Sequence, residues 1–336
     1  MNQIAIKTDT CMANRRTVLR IAVCSLASAM VPAWAQQPGK VPVVGLLMLT
    51  AGPNDPIVET LRRELDALGY VEGQNIRIEH RSAAGEVDRL PSLAEELVAL
   101  RVDAIVVGGA SIARVAKQAT ATIPIVMIAW DYDPVAAGLV DSLSRPGGNI
   151  TGVSPQAPEL VGKCLDLLRE LLPGLSRMAV FYDVFGKRQV ERLEVAARRL
   201  GIHLQLVEFR APYDYSAAFK NATKRKAQAV MRMSSPHFHM DRELFAKLAL
   251  EYKLPTIFLS DPTVRVGGLI SYGASLNATF GRAAYYIDRV LKGARPSELP
   301  IEQPDVYRLV INLKTAKALN LAVPQSILQR ADEMIP

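Results

Sequence analysis

Short, nearly unbroken apolar runs alternate along this chain with longer stretches whose apolar positions recur every three or four residues. Val43 to Leu49 is such a run, as expected of a parallel strand buried on both faces, and Ile57 to Leu68 is an amphipathic helix ended by Gly69. The same alternation predicts strands over 75–80, 103–107 and 124–129, with helices over 87–100 and 111–119 between them. Asp133-Pro134 then reads as a helix cap followed by proline at the first helical position, and Pro146-Gly147-Gly148 as the turn that stops that helix. After a helix over 159–172 the scheme restarts. Strands are predicted over 177–182, 203–209, 227–233 and 255–259, with helices over 189–200, 213–224 and 238–252. Gly201 stands in the second series where Gly69 stands in the first. A strand over 268–272, a helix over 276–291 ended by Gly293 and Pro296, and a strand and helix over 307–319 complete the pattern. Strand and helix alternating in two similar halves predict an α/β protein of two doubly wound, Rossmann-like lobes with parallel sheets.

The first 35 residues do not fit this alternation. Arg15-Arg16 precede a short apolar stretch from Ile21 to Pro32, and Ala33-Trp34-Ala35 follows it. That order predicts a cleavable export signal cut after Ala35, with the twin arginines giving it a Tat-like character and Sec export the alternative. The apolar stretch is about a dozen residues where a spanning helix needs roughly 20, so release into the periplasm is expected rather than anchoring. Loss of residues 1–35 removes Lys7, Arg15, Arg16, Arg20 and Asp9, taking the net charge from +7 to +4. No polybasic tract remains, which argues against a nucleic-acid partner. Cys11 and Cys24 leave with the signal and Cys164 stays alone, so no internal disulfide forms and packed cores must supply the stability.

Two stretches, Asp133-Pro134-Val135-Ala136-Ala137-Gly138-Leu139-Val140 and Pro146-Gly147-Gly148-Asn149-Ile150-Thr151-Gly152, resemble motifs of the substrate-binding proteins of ABC transporters. Weaker matches run in the same order at Gly69 to Asn75, Glu170 to Pro173, Ser271 to Gly273, Leu291 to Gly293 and Val310 to Leu313, so the resemblance covers about residues 41–324. It implies the type I periplasmic-binding-protein architecture with three hinge crossovers, expected near 150, 273 and 303. Residues 41–150 plus 274–302 would form the N-terminal lobe, and 151–273 plus 303–336 the C-terminal lobe. The implied function is that of a monomeric exported receptor closing on a small molecule and delivering it to an ABC permease in the inner membrane. The group includes receptors for aromatic amino acids, so an amino-acid-like or aromatic-acid-like ligand is expected. A sensor feeding a membrane signalling protein is the alternative within the same architecture.

Ligands of open parallel sheets sit beyond the carboxyl ends of the strands, which points to the loops 50–53, 108–111, 130–133, 183–186, 234–237 and 260–262. Thr50, Gly109, Ser111, Trp130, Asp131, Tyr132, Asp183, Ser235, Asp261 and Tyr272 are the candidate ligand-binding residues. Gly109 allows close backbone approach, while Ser111 either caps its helix or offers a hydroxyl to a carboxylate. Gly109-x-Ser111-x-Ala113 approximates a nucleophile elbow, but it lacks the last glycine and no acid and histidine are spaced for a hydrolase, so an exported serine hydrolase using Ser111 is the less favoured alternative function. Trp130-Asp131-Tyr132-Asp133 departs from the family pattern. Asp133 is expected to cap, leaving Trp130 either to cover the sheet edge or, with Asp131, to hold an apolar or ring-bearing ligand with an amino group. Asp261-Pro262 could equally open a turn, and Tyr272 could contribute a hydroxyl beside the hinge. His237-Phe238-His239 lacks a third metal ligand and reads as loop surface, His237 rimming the cleft. With no cysteine pair, HExxH, P-loop or GxGxxG, no metal or nucleotide cofactor is expected.

Overall fold

Five strands, β1 (Val43–Met48), β2 (Arg77–Ser82), β3 (Ala104–Gly108), β4 (Ile125–Ile128) and β5 (Ile150–Val153), pair in the order β2-β1-β3-β4-β5, every ladder parallel. This computed structural model describes residues 40–130, 132–155, 157–303 and 307–336, with the backbone alone at 157–159. The export signal expected over 1–35 therefore lies outside the described residues. β1 is buried along its whole length because helices cover both faces of the sheet. On one face, helices Leu90–Ala99 and Ala110–Ala119 set Leu93, Leu97 and Ile112 against Leu47, Ile105 and Met127. On the other, helices Pro56–Ala67 and Leu276–Leu291 set Leu61, Leu65, Phe280 and Ile287 against Val44, Leu46, Val106 and Val126. β2 forms the edge, and its run of Arg77, Glu79, His80 and Arg81 suits a strand that faces water.

The second sheet has seven strands: β6 (Arg177–Tyr182), β7 (His203–Glu208), β8 (Ala229–Arg232), β9 (Thr256–Phe258), β10 (Ile270–Ala274), β11 (Tyr307–Asn312) and β12 (Glu333–Ile335). Their order is β12-β11-β10-β9-β8-β6-β7. Here the expected all-parallel sheet is interrupted once, since β10 and β11 pair antiparallel while the other ladders are parallel. One face packs Met178, Val180 and Met231 against Leu165, Leu168 and Leu193, and the other is an aromatic core of Phe181, Phe219, Phe245 and Phe258.

The chain passes between the sheets three times. It leaves the first sheet after β5, a few residues beyond the position expected near 150, because Ile150 to Val153 still pair with β4. It returns after β10 into helix Leu276–Leu291, and Glu302 bridges Val153 of the first sheet before β11 opens in the second. The Gly-rich motif explains the turn into β5. Gly147 has φ +84, and a Cβ there would fall on the Asp141 carboxylate; Gly152 has φ +137, and a Cβ would lie 2.0 Å from the Met127 carbonyl of β4. The helix expected after Asp133 is a single turn. The Asp133 side chain accepts from Val135 and Ala136 as a cap should, but Gly138, at φ +68, ends the turn at once. The helix expected over 238–252 is likewise two, Pro236–Met240 and Arg242–Glu251, broken at Asp241.

Candidate functional site

A cleft lies between the carboxyl ends of the two sheets. Its wall on the first lobe comes from Leu49, Thr50 and Ala51 after β1, Gly108 at the end of β3, Ile112, and Trp130 after β4. Its wall on the second lobe comes from Arg232 at the end of β8 and the residues after it to Pro236, from Phe258 at the end of β9 with Leu259 and Ser260, and from Pro262 and Thr263. Leu160, Ala274, Leu276 and Thr279 close the back, beside two of the passages between sheets. The space, counted out to open solvent, is about 1090 Å³. Most of its lining is apolar. Among the described lining residues the charged or ionisable side chains are Arg232 and His239, with no carboxylate.

Three contacts span the cleft mouth, all to the helix Pro236–Met240 of the second lobe. Thr50 Oγ1 donates to the Pro236 carbonyl at 3.2 Å, His237 Nε2 donates to the Gly85 carbonyl at 3.1 Å, and His239 Nε2 stands 3.5 Å from Asp55 Oδ2. Asp55 also caps helix Pro56–Ala67 by accepting from Ile57. Burial would raise its carboxyl, but the contact with His239 and the Ile57 N–H outweigh burial and hold it below the usual range.

The sequence-predicted residues divide between this cleft and its surroundings. Thr50, Trp130 and Ser235 line it, Trp130 packing on Phe280 with ring centroids 5.3 Å apart. Gly109 is the cap residue of helix Ala110–Ala119 at φ +99, so Ser111 sits inside the first turn and does not cap. The Ser111 Oγ is buried with no hydrogen-bond partner among the described residues, so no base is in place to activate it. Tyr132 is buried in the first core with its hydroxyl on the Met127 sulfur. Asp131 lies outside the described residues. Asp183 is buried beneath the cleft wall, accepting from Tyr213 at 2.8 Å, from Phe185 N–H at 3.0 Å and from Ser235. Burial alone would raise its carboxyl; His237, Ser235 and Tyr213 together hold it low. Asp261 is paired with Arg265 at 2.8 Å and is not among the residues that line the cleft. Tyr272 packs against Tyr307 and lies under Lys163.

The histidine pair is more than loop surface: His239 lines the cleft, and His237 is the bridge to Gly85. Sequence reasoning also passed over Arg232. It closes β8, only 8% exposed, with its guanidinium over the rings of Phe238, Phe245 and Phe258 at 5.6, 4.8 and 5.1 Å. The available signal was an arginine inside the apolar run Ala229-Val-Met-Arg-Met233, since a buried charge is the informative exception. No helix among the described residues is long and apolar enough to cross a membrane, and no cluster of three metal-ligating side chains occurs among them.

Two α/β lobes joined by three crossings, with a cleft between strand ends, form the type I periplasmic-binding-protein fold. A conserved domain protein from Vibrio cholerae superposes with a TM-score of 0.77 at 27% identity, covering 88% of this chain and 100% of that one. An ABC domain from Streptococcus pneumonia in complex with L-Trp gives 0.77 at 26% identity over 87% and 100%. A tyrosine-binding protein of Clostridioides difficile is 28% identical over 282 residues, 83% of this chain and 81% of its own length. The family model described as ABC transporter substrate binding protein matches residues 44–335, both sheets and all three crossings included. Such proteins hold solutes and are not enzymes; the chain belongs to the ABC transporter substrate-binding protein family.

Proposed function

We propose that this protein is an exported receptor that closes on an aromatic amino-acid-like or aromatic-acid-like solute and presents it to the permease of an ABC importer. The observation that carries this reading is the cleft itself, apolar, shared by both lobes, walled by Trp130 on one side and Phe258 on the other. A solute touching both walls stabilises the shut arrangement relative to the open one, and the contacts of Thr50, His237 and His239 exist only when the lobes meet. The relatives that bind L-Trp and tyrosine support the ligand class. Thr50, Trp130 and Ser235 are proposed as ligand contacts from the cleft wall; Gly109 and Ser111 stand in sequence between the wall residues Gly108 and Ile112, and Asp131 beside Trp130 is proposed from sequence alone. Residues 1–35 supply the export signal, cut after Ala35, and the mature protein acts in the periplasm as a monomer.

Mass spectrometry of small molecules released from the purified protein, with a thermal-shift screen of amino acids, aromatic acids and sugars, tests the reading. A ligand at about 100 times its dissociation constant adds roughly 2.7 kcal/mol of apparent stability. A protein that releases nothing and whose melting no solute shifts is not such a receptor. N-terminal sequencing of the secreted form checks the cut after Ala35.

A further inference from the structure

Among the described residues no carboxylate forms an ion pair with Arg232. Its Nη1 donates to the Phe238 carbonyl at 2.8 Å and its Nη2 to Thr263 Oγ1 at 2.6 Å, while its Nε–H is buried with no acceptor among the described residues. No described carboxylate lies within ion-pair distance of it; Asp241 acts on it from farther away and accepts from the Tyr215 hydroxyl at 3.0 Å. Burial pushes the guanidinium down to about 10, so it remains protonated at neutral pH. Three aromatic rings hold its plane, and it lines the cleft at the end of β8. A buried, unpaired guanidinium is costly, and packing alone would be served as well by an apolar side chain of similar size.

On these grounds we propose that Arg232 is the group that recognises the ligand's carboxylate, the Nε–H that has no acceptor among the described residues being the donor that solute binding satisfies. This deepens the receptor reading and rests on it. Thr263 and the Phe238 carbonyl fix the guanidinium by its two other nitrogens, so the donor is set before the ligand arrives. The carboxylate would meet a fixed cation in a water-poor cleft with no competing described acid on its walls. The ligand class follows: a small aromatic or apolar molecule carrying a carboxylate, the ring lodged toward Trp130 and the anion toward β8.

Calorimetric titration of the mature protein with L-tryptophan, indole-3-propionate and tryptamine separates the possibilities. These probes share a ring and differ in which charged group they carry. Indole-3-propionate should bind at least roughly tenfold more tightly than tryptamine, and in Arg232→Gln that preference should collapse toward unity. Arg232→Lys, which keeps the charge and loses the planar fork, should recover only part of it. Equal binding of the two probes by the wild-type protein, or an unchanged preference in a folded Arg232→Gln, overturns the assignment while leaving the receptor reading intact. If Arg232→Gln does not fold, Arg232→Lys decides, an unchanged preference there overturning the assignment. If the wild-type protein binds none of the three, the inference falls together with the aromatic-solute reading.

Discussion

Gly152→Ala should be among the most damaging single-methyl additions in the first lobe. The residue lies in β5, beside Met127 of β4, at φ +137, a conformation that side chains with a Cβ rarely adopt. A Cβ would stand 2.0 Å from the Met127 carbonyl oxygen and 2.7 Å from its nitrogen, both backbone atoms that cannot rotate aside. Relief requires either a changed φ or separation of β4 from β5. Strain at a forbidden φ costs about 1–3 kcal/mol, and each ladder hydrogen bond given up costs about 0.5–1.5 kcal/mol. The sum is roughly 3 kcal/mol, a large share of the ~5–15 kcal/mol that holds a typical domain. It corresponds to a melting point lower by roughly 5 °C for a chain of this length unfolding as one unit. Gly148→Ala, four residues earlier in the same motif, is the control, because nothing stands within 4 Å of its added Cβ and its φ is not positive. Thermal and urea unfolding followed by circular dichroism would compare the two. A Gly152→Ala protein within about 1 kcal/mol of wild type, or a Gly148→Ala protein equally destabilised, refutes the steric account.

Three further outcomes are expected. The His237 imidazole is raised above its ordinary 6.5 by Asp183, against burial and with help from the Gly85 carbonyl; Asp241 adds to this from a distance, and Tyr213 and Phe185 also face the ring. Stability from that shift is fully present below pH 6.5 and is lost as pH rises through the raised value, so melting point and L-tryptophan affinity should fall as pH is taken upward from 6.5. His237→Gln should flatten that slope, and an unaltered profile would exclude His237 as its source. Trp130→Ala should weaken L-tryptophan binding roughly two- to tenfold, with Trp130→Phe recovering most of it; equal affinities in titration calorimetry would place the ring outside the contact. Cys164, fully buried with its thiol pushed up to about 12, should resist iodoacetamide in the native protein and react only on unfolding, as mass spectrometry would register.

The layered framework was readable because both sheets are covered on two faces, which turns central strands such as Val43–Met48 and Arg177–Tyr182 into apolar runs. Departures occurred where one glycine or one tertiary contact outweighs periodicity. Gly138 reduces an expected helix to a turn, and Asp241 splits another in two. The short helix Gln325–Arg330 and β12 were not foreseen, because three-residue β12 carries no periodic signal and is held as a strand by its ladder to β11. At the cleft, strand ends and the motif beside Trp130 could be found from topology. Arg232 could not, since Phe238, Phe245, Phe258 and Thr263, which define its role, come from four separate elements that only folding brings together.

Helix Leu276–Leu291 imposes an order on biogenesis. It supplies Phe280, Ala283, Tyr286 and Ile287 to the core of a lobe whose strands all lie before residue 154, so that core stays open until nearly the whole chain has been synthesised. In a nascent chain ending before residue 276, helix Pro56–Ala67 covers only part of that face, and the apolar positions that Phe280, Ala283 and Ile287 would cover stay exposed. The first half of the sequence, though it contains a complete five-stranded sheet, lacks the helix that completes one of its faces, so a split into two co-expressed halves has to follow the cores rather than the midpoint of the chain.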